Sequence, residues 1–138
     1  MPKNSPDTPP DPAAAQADAH ALKGRRGFVR LTWALRHSLA GLAAAVRHES
    51  AFRQLLALNL ILIPIACLVE VSSGERALLI VMPLMALVVE LLNSAIEAVV
   101  DRISLDLHPL SKRAKDMGSA AQLLTLLAGA LVWALILL

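Results

Sequence analysis

The stretch Val88 to Ile103, VVELLNSAIEAVVDRI, decides how the rest of the chain is read. Two glutamates, an asparagine, a serine and an aspartate interrupt aliphatic residues that continue an apolar run from Ala77. At about 100° per residue, Glu90, Asn93, Ser94, Glu97 and Asp101 share one face of a helix, and the other faces are Leu, Val, Ile and Ala. That is the pattern of a membrane-spanning helix with a single polar stripe. Ionisable groups in such a helix cost about 2.5–3.5 kcal/mol each on insertion scales, so they normally face protein or water and have a task. The plainer alternative is that they only hold helices together, although one Asn or Ser would suffice for that.

Working outward, the 138-residue chain is 57% hydrophobic with a mean hydropathy of +0.61, which describes a small polytopic membrane protein. Three apolar segments, Leu55 to Val69, Ala77 to Val100 and Ala120 to Leu138, predict transmembrane helices over about 51–69, 77–100 and 118–138. The polar turn EVSSGER joins the first two as a tight hairpin, and residues 101–116 form a longer polar loop before the third. Cys67 is the only cysteine, which excludes an intrachain disulfide framework and a cysteine zinc cluster.

Of the 13 Lys and Arg residues, eight lie in residues 1–53, four in 101–116, and Arg76 alone on the hairpin. Basic residues beside membrane helices are retained in the cytoplasm, so the N-terminus and the long loop are expected there, in a bacterial inner membrane, with the C-terminus on the periplasmic side. The net charge of +2 hides this asymmetry, so the pI near 9.1 gives no argument for nucleic-acid binding.

Residues 1–26 hold five of the eight prolines and read as a disordered cytoplasmic tail. From Phe28 the pattern changes. Phe28, Leu31, Leu35, Leu39, Leu42 and Val46 recur at steps of three and four, with Arg30, His37 and His48 on the opposite face. An amphipathic helix over 28–48 lying in the membrane surface is expected, either as a simple anchor or with a functional role.

The positions of the polar residues suggest a chemistry. Glu90 and Glu97 are about 10 Å apart along the helix axis. The deeper carboxylate is placed to accept a proton from a lipid alcohol, and the shallower one can hold a hard cation such as Mg²⁺, which prefers carboxylate and phosphate oxygens. Glu49, after the surface helix, is either a solvated charge or a second carboxylate for the same ion. Lys112, Arg113 and Lys115 precede Asp116 and the small residues Gly118, Ser119 and Ala120; such a cluster marks the cytoplasmic side, or binds phosphate. Carboxylates for a metal, cations for phosphate and a base beside the lipid together describe phosphoryl transfer to a membrane alcohol. None of the six glycines forms a G-x-x-x-x-G-K-[ST] loop, so any kinase here is of a different design.

The run VELLNSAIEAVVDRISLDLHPLSKRAKDMGSAA closely resembles the signature of the prokaryotic integral-membrane diacylglycerol kinases. The block ESAFRQ, Glu49 to Gln54, is similar to a third part of that signature, and the resemblance extends over 27–138. It implies a homotrimer of three-helix subunits that phosphorylates diacylglycerol with MgATP at sites shared between neighbouring subunits. Glu90 would be the catalytic base with Asn93 beside it, and Glu49 and Glu97 would hold the metal and ATP. Lys115, Asp116 and the loop residues Asp106, Leu107 and His108 would contact the nucleotide. Arg30 would bind phosphate and lipid, and Ala51, Phe52, Arg53, Gln54, Ser119 and Trp133 would line the lipid site. Two positions depart from the pattern. His37 stands where better-known members carry a tyrosine near the nucleotide, and Leu107 likewise replaces a tyrosine, in the loop.

Three other readings of the same residues remain: an undecaprenol kinase, a proton-relay channel or transporter using Glu90 and Glu97, and a structural membrane protein without chemistry.

Overall fold

Aliphatic runs too long for a soluble helix, with polar residues gathered at their ends, produce three helices long and apolar enough to cross a membrane. The computed structural model describes residues 12–103 and 108–138. It is all-helical among those residues, with α1 at Pro12–His48, α2 at Ser50–Leu68, α3 at Ser73–Ile103 and α4 at Pro109–Leu137. The last three are the candidate spans, so the chain is a multi-pass membrane protein. The chain divides into two units, Met1–Leu42 and Ala43–Leu138.

Of the proline-rich tail, residues 1–11 lie outside the described residues, and Pro12 already opens α1. In the N-terminal unit, Leu31, Leu35, Leu39 and Leu42 are all exposed along α1, as is Arg30. Arg36 lies over the Trp33 ring, 5.6 Å from its centroid, and His37 stacks on the same ring at 6.1 Å.

The helix ends show why the chain turns where it does. Ser72 and Glu75 form a capping box at the start of α3: the Ser72 backbone N–H donates to Glu75 Oε2 at 2.8 Å, and Ser72 Oγ accepts from the Glu75 N–H at 3.3 Å. Arg76 reaches back to the carbonyls of Cys67 and Val69, which close α2. The single basic residue of the hairpin therefore supplies donors that the end of α2 lacks. Arg53 does the same for α1, donating to the carbonyls of Val46 at 3.2 Å and Arg47 at 3.3 Å.

The polar run expected as a loop over 101–116 is mostly helical. α3 continues to Ile103, and α4 begins at Pro109, capped by His108, whose Nδ1 accepts from the Leu110 N–H at 3.2 Å. Proline suits the first helical position because its missing N–H would have no partner there. At about 1.5 Å per residue the 31 residues of α3 span about 46 Å, well beyond a hydrocarbon core of about 30 Å. Its end, like the polar start of α4, can thus remain helical outside the apolar layer.

α3 packs against both α2 and α4. Asn59 bridges the first pair, its Nδ2 donating to Leu55 O at 2.9 Å and across to Pro83 O at 3.1 Å. Pro83 has no N–H, so the Leu79 carbonyl loses its helical donor. Trp133 of α4 replaces it, with Nε1 donating to Leu79 O at 3.2 Å. Trp133→Phe is expected to lower stability by about 1–2 kcal/mol, read as the thermal midpoint in detergent. The loss should largely vanish in a Pro83→Ala background, where the residue 83 N–H can take the same carbonyl.

Candidate active site

Four contacts fix α3 and α4 antiparallel to one another. Trp133 meets Leu79, Gly129 lies beside Met82, Gly118 lies against Asn93, and Lys115 pairs with Asp101. A Cβ on Gly118 would overlap Asn93 Oδ1, so glycine is what permits this approach. α2 runs antiparallel on the other side of α3, in a register set by Asn59 and Pro83. Counting two turns back along α2 and two forward along α3 brings Phe52 level with Glu90, and about three turns each way brings Glu49 level with Asn93.

The polar stripe of α3 therefore enters a layer that all three helices close. Glu90 is only 5% exposed, and Asn93 and Phe52 are also buried. Asn93 Nδ2 donates to Glu97 Oε1 at 3.2 Å, which orients both side chains on consecutive turns. Glu97 and Glu49 are half-buried, and they are the charges that bear on Glu90. Glu49 sits at the break between α1 and α2 as the N-cap residue of α2, yet its carboxylate makes no capping bond and remains available.

Toward the end of the stripe, Lys115 Nζ pairs with Asp101 Oδ1 at 2.6 Å, with the two side chains 38% and 48% exposed. A pair this open contributes about 0.2–1 kcal/mol, so an arriving phosphate can compete for the ammonium. Lys112 and Asp116 form a second pair at 2.6 Å, one turn apart on α4.

These elements gather Glu49, Glu90, Asn93 and Glu97, with Lys115 beyond them. The other expected site residues are placed differently. Arg53 is held by the carbonyls that close α1, His108 caps α4, and Trp133 serves the Leu79 carbonyl. Ala51, Gln54 and Ser119 are exposed on their helices, Arg30 and His37 belong to the N-terminal unit, and Asp106 and Leu107 lie outside the described residues. Among the described residues no group of three or more His, Cys, Asp or Glu side chains forms a ready metal cage. Asp101 as the partner of Lys115, and Gln122 on α4, were not assigned site roles from the sequence. The first depends on the register of two helices, and the second is a lone amide among leucines.

A family model for prokaryotic diacylglycerol kinase matches residues 36–137, nearly all of the three-helix part and the end of α1. The chain belongs to the prokaryotic diacylglycerol kinases. Within this family it is 61% identical over 117 residues to the diacylglycerol kinase of Pseudomonas aeruginosa, covering 85% of this chain and 95% of the relative. The diacylglycerol kinase of Escherichia coli is 47% identical over 111 residues, covering 80% of this chain and 91% of its own length. That of Helicobacter pylori is 46% identical over 108 residues, covering 78% and 84%. The family match over residues 36–137 takes in α2, α3 and α4, and with them the whole polar stripe.

Proposed function

We propose that the protein transfers the γ-phosphate of ATP to the hydroxyl of diacylglycerol, giving phosphatidic acid. The observation that carries this reading is the buried carboxylate of Glu90 in a layer shared by three apolar helices, with two more carboxylates and a lysine arrayed beyond it on one side. Membrane kinase chemistry needs a base within reach of lipid and a charged site within reach of nucleotide, and the stripe supplies both in that order.

In this mechanism Glu90 takes the proton of the lipid hydroxyl. The hydroxyl oxygen forms a bond to the γ-phosphorus, the bond to the β,γ-bridging oxygen breaks, and ADP leaves. Asn93 orients Glu97 through the hydrogen bond that its amide donates. Lys115 exchanges Asp101 for a phosphate oxygen, and Asp116 and His108 border the nucleotide. Glu49 and Glu97 provide two hard oxygen donors, which fits a Mg²⁺ ion that completes its shell with phosphate and water; bound there, it would neutralise phosphate charge. The exposed Ala51, Gln54 and Ser119 and the buried Phe52 line the lipid site. A cavity of about 340 Å³ begins one turn from Glu90, is lined by Leu55, Leu58, Leu62, Ala86 and Leu126 among others, and has the chemistry of an acyl-chain site.

The same proposal includes a homotrimer, with the many exposed aliphatic side chains of α2, α3 and α4 divided between lipid and neighbouring copies. It also places α1 in the surface of a bacterial inner membrane, with the N-terminus cytoplasmic and the C-terminus periplasmic, in keeping with the distribution of Lys and Arg.

The test is label transfer from γ-labelled ATP with Mg²⁺ to dioleoylglycerol by the detergent-purified protein, with undecaprenol as competing acceptor. Labelled phosphatidic acid is the expected product. Label on undecaprenol alone would make the acceptor a polyprenol, and no label on either lipid from folded protein would end the kinase reading.

A further inference from the structure

Among the buried amide side chains described, Gln122 is distinct. Asn59 and Asn93 each engage their Nδ2 groups, but both the Nε2 and the Oε1 of Gln122 are buried without a hydrogen-bond partner. Its neighbours on α4, Leu123, Leu124, Leu126 and Leu127, fit an apolar helix, and an apolar residue at 122 would avoid the cost of two unpaired atoms. Buried amides in this condition invite a partner that the resting protein lacks.

The register says which partner. Gly118 lies against Asn93. One turn further along α4 is Gln122, and one turn back along α3 is Glu90; because the helices are antiparallel, both steps lead to the same layer. Gln122 is 9% exposed there and Glu90 5%. A lipid hydroxyl that reaches Glu90 brings the rest of its polar head into this layer. In a 1,2-diacylglycerol the carbon adjoining the hydroxymethyl group carries an ester, whose carbonyl is an acceptor without a donor of its own.

We infer that Gln122 is a specificity-determining residue that donates its Nε2–H to a glyceride ester carbonyl while the adjoining hydroxyl faces Glu90. This rests on the proposed lipid phosphorylation and extends it: the site selects an alcohol with a nearby ester over one without. A group built to hydrogen-bond its substrate discriminates strongly against an analogue lacking the partner.

The experiment compares dioleoylglycerol with its diether analogue, dioleylglycerol, which keeps the hydroxyl and chains but has no carbonyl. Both are assayed with the parent protein and with Gln122→Met, which removes the amide at nearly constant volume. The parent should favour the ester by about tenfold in kcat/KM, mainly through KM, and Gln122→Met should bring the ratio close to one. Its thermal midpoint should be unchanged or higher. An equal ester-to-ether ratio in the two proteins overturns the assignment, and so does a lowered midpoint, which would mean that the amide is paired within the folded protein. Parent protein that phosphorylates neither lipid removes the kinase reading itself, an outcome distinct from the other two.

Discussion

Glu90→Gln lowers kcat for diacylglycerol phosphorylation by about 10²–10⁴-fold, the range associated with losing a positioned general base. The substitution conserves shape at a position 5% exposed and exchanges a buried carboxylate for a neutral amide, so the helices have no reason to separate. The KM for MgATP should change little, because the proposed mechanism assigns the nucleotide to Glu49, Glu97 and Lys115. Steady-state kinetics on detergent-purified protein, with the thermal midpoint measured alongside, separate this from unfolding. Activity retained to within about tenfold would place the proton acceptor elsewhere.

The second large effect is expected at a residue with no side chain. In Gly118→Ala the new methyl group overlaps Asn93 Oδ1, with Asn93 Cγ only 3.3 Å away, so the amide must rotate or α4 must retreat from α3. Rotation breaks the 3.2 Å bond by which Asn93 holds Glu97, and retreat opens the layer around Glu90. Overpacking of this kind costs about 1–3 kcal/mol, and misplacing catalytic groups by an ångström can cost about 10²-fold in rate. Gly129→Ala provides the contrast on the same helix. Its Cβ would meet only Met82 Cβ at 3.8 Å, an ordinary contact, and removal of a helical glycine should add about 0.5–1 kcal/mol of stability. Equal loss of stability in the two variants would show that backbone approach at Asn93 is not what matters.

The spans were legible in the sequence because hydropathy over about 20 residues is a strong signal, and the stripe was legible because helical periodicity alone puts Glu90, Asn93 and Glu97 on one face. Helix ends were harder to read. Polarity marked 101–116 as a loop, but the turns of a helix that lie outside the apolar layer are polar too, and the signal for the start of α4 was local: His108 followed by Pro109. Contacts between helices were hardest of all. The Lys115 pair with Asp101, the meeting of Trp133 with the carbonyl that Pro83 leaves free, and the approach of Gln122 to the layer of Glu90 all depend on how far one helix slides along another, which no periodicity within a single helix determines.

The closure of the Glu90 layer bears on economy as well as on chemistry. Water is the smallest hydroxyl nucleophile and the most abundant one, and a base able to deprotonate a lipid hydroxyl can also spend ATP on hydrolysis. With Phe52 and Gln122 at its level and little surface open to solvent, Glu90 is shielded from that competitor until the helices admit something larger. The same packing that makes the carboxylate hard to reach would thus couple the consumption of ATP to the presence of lipid, without a separate lid.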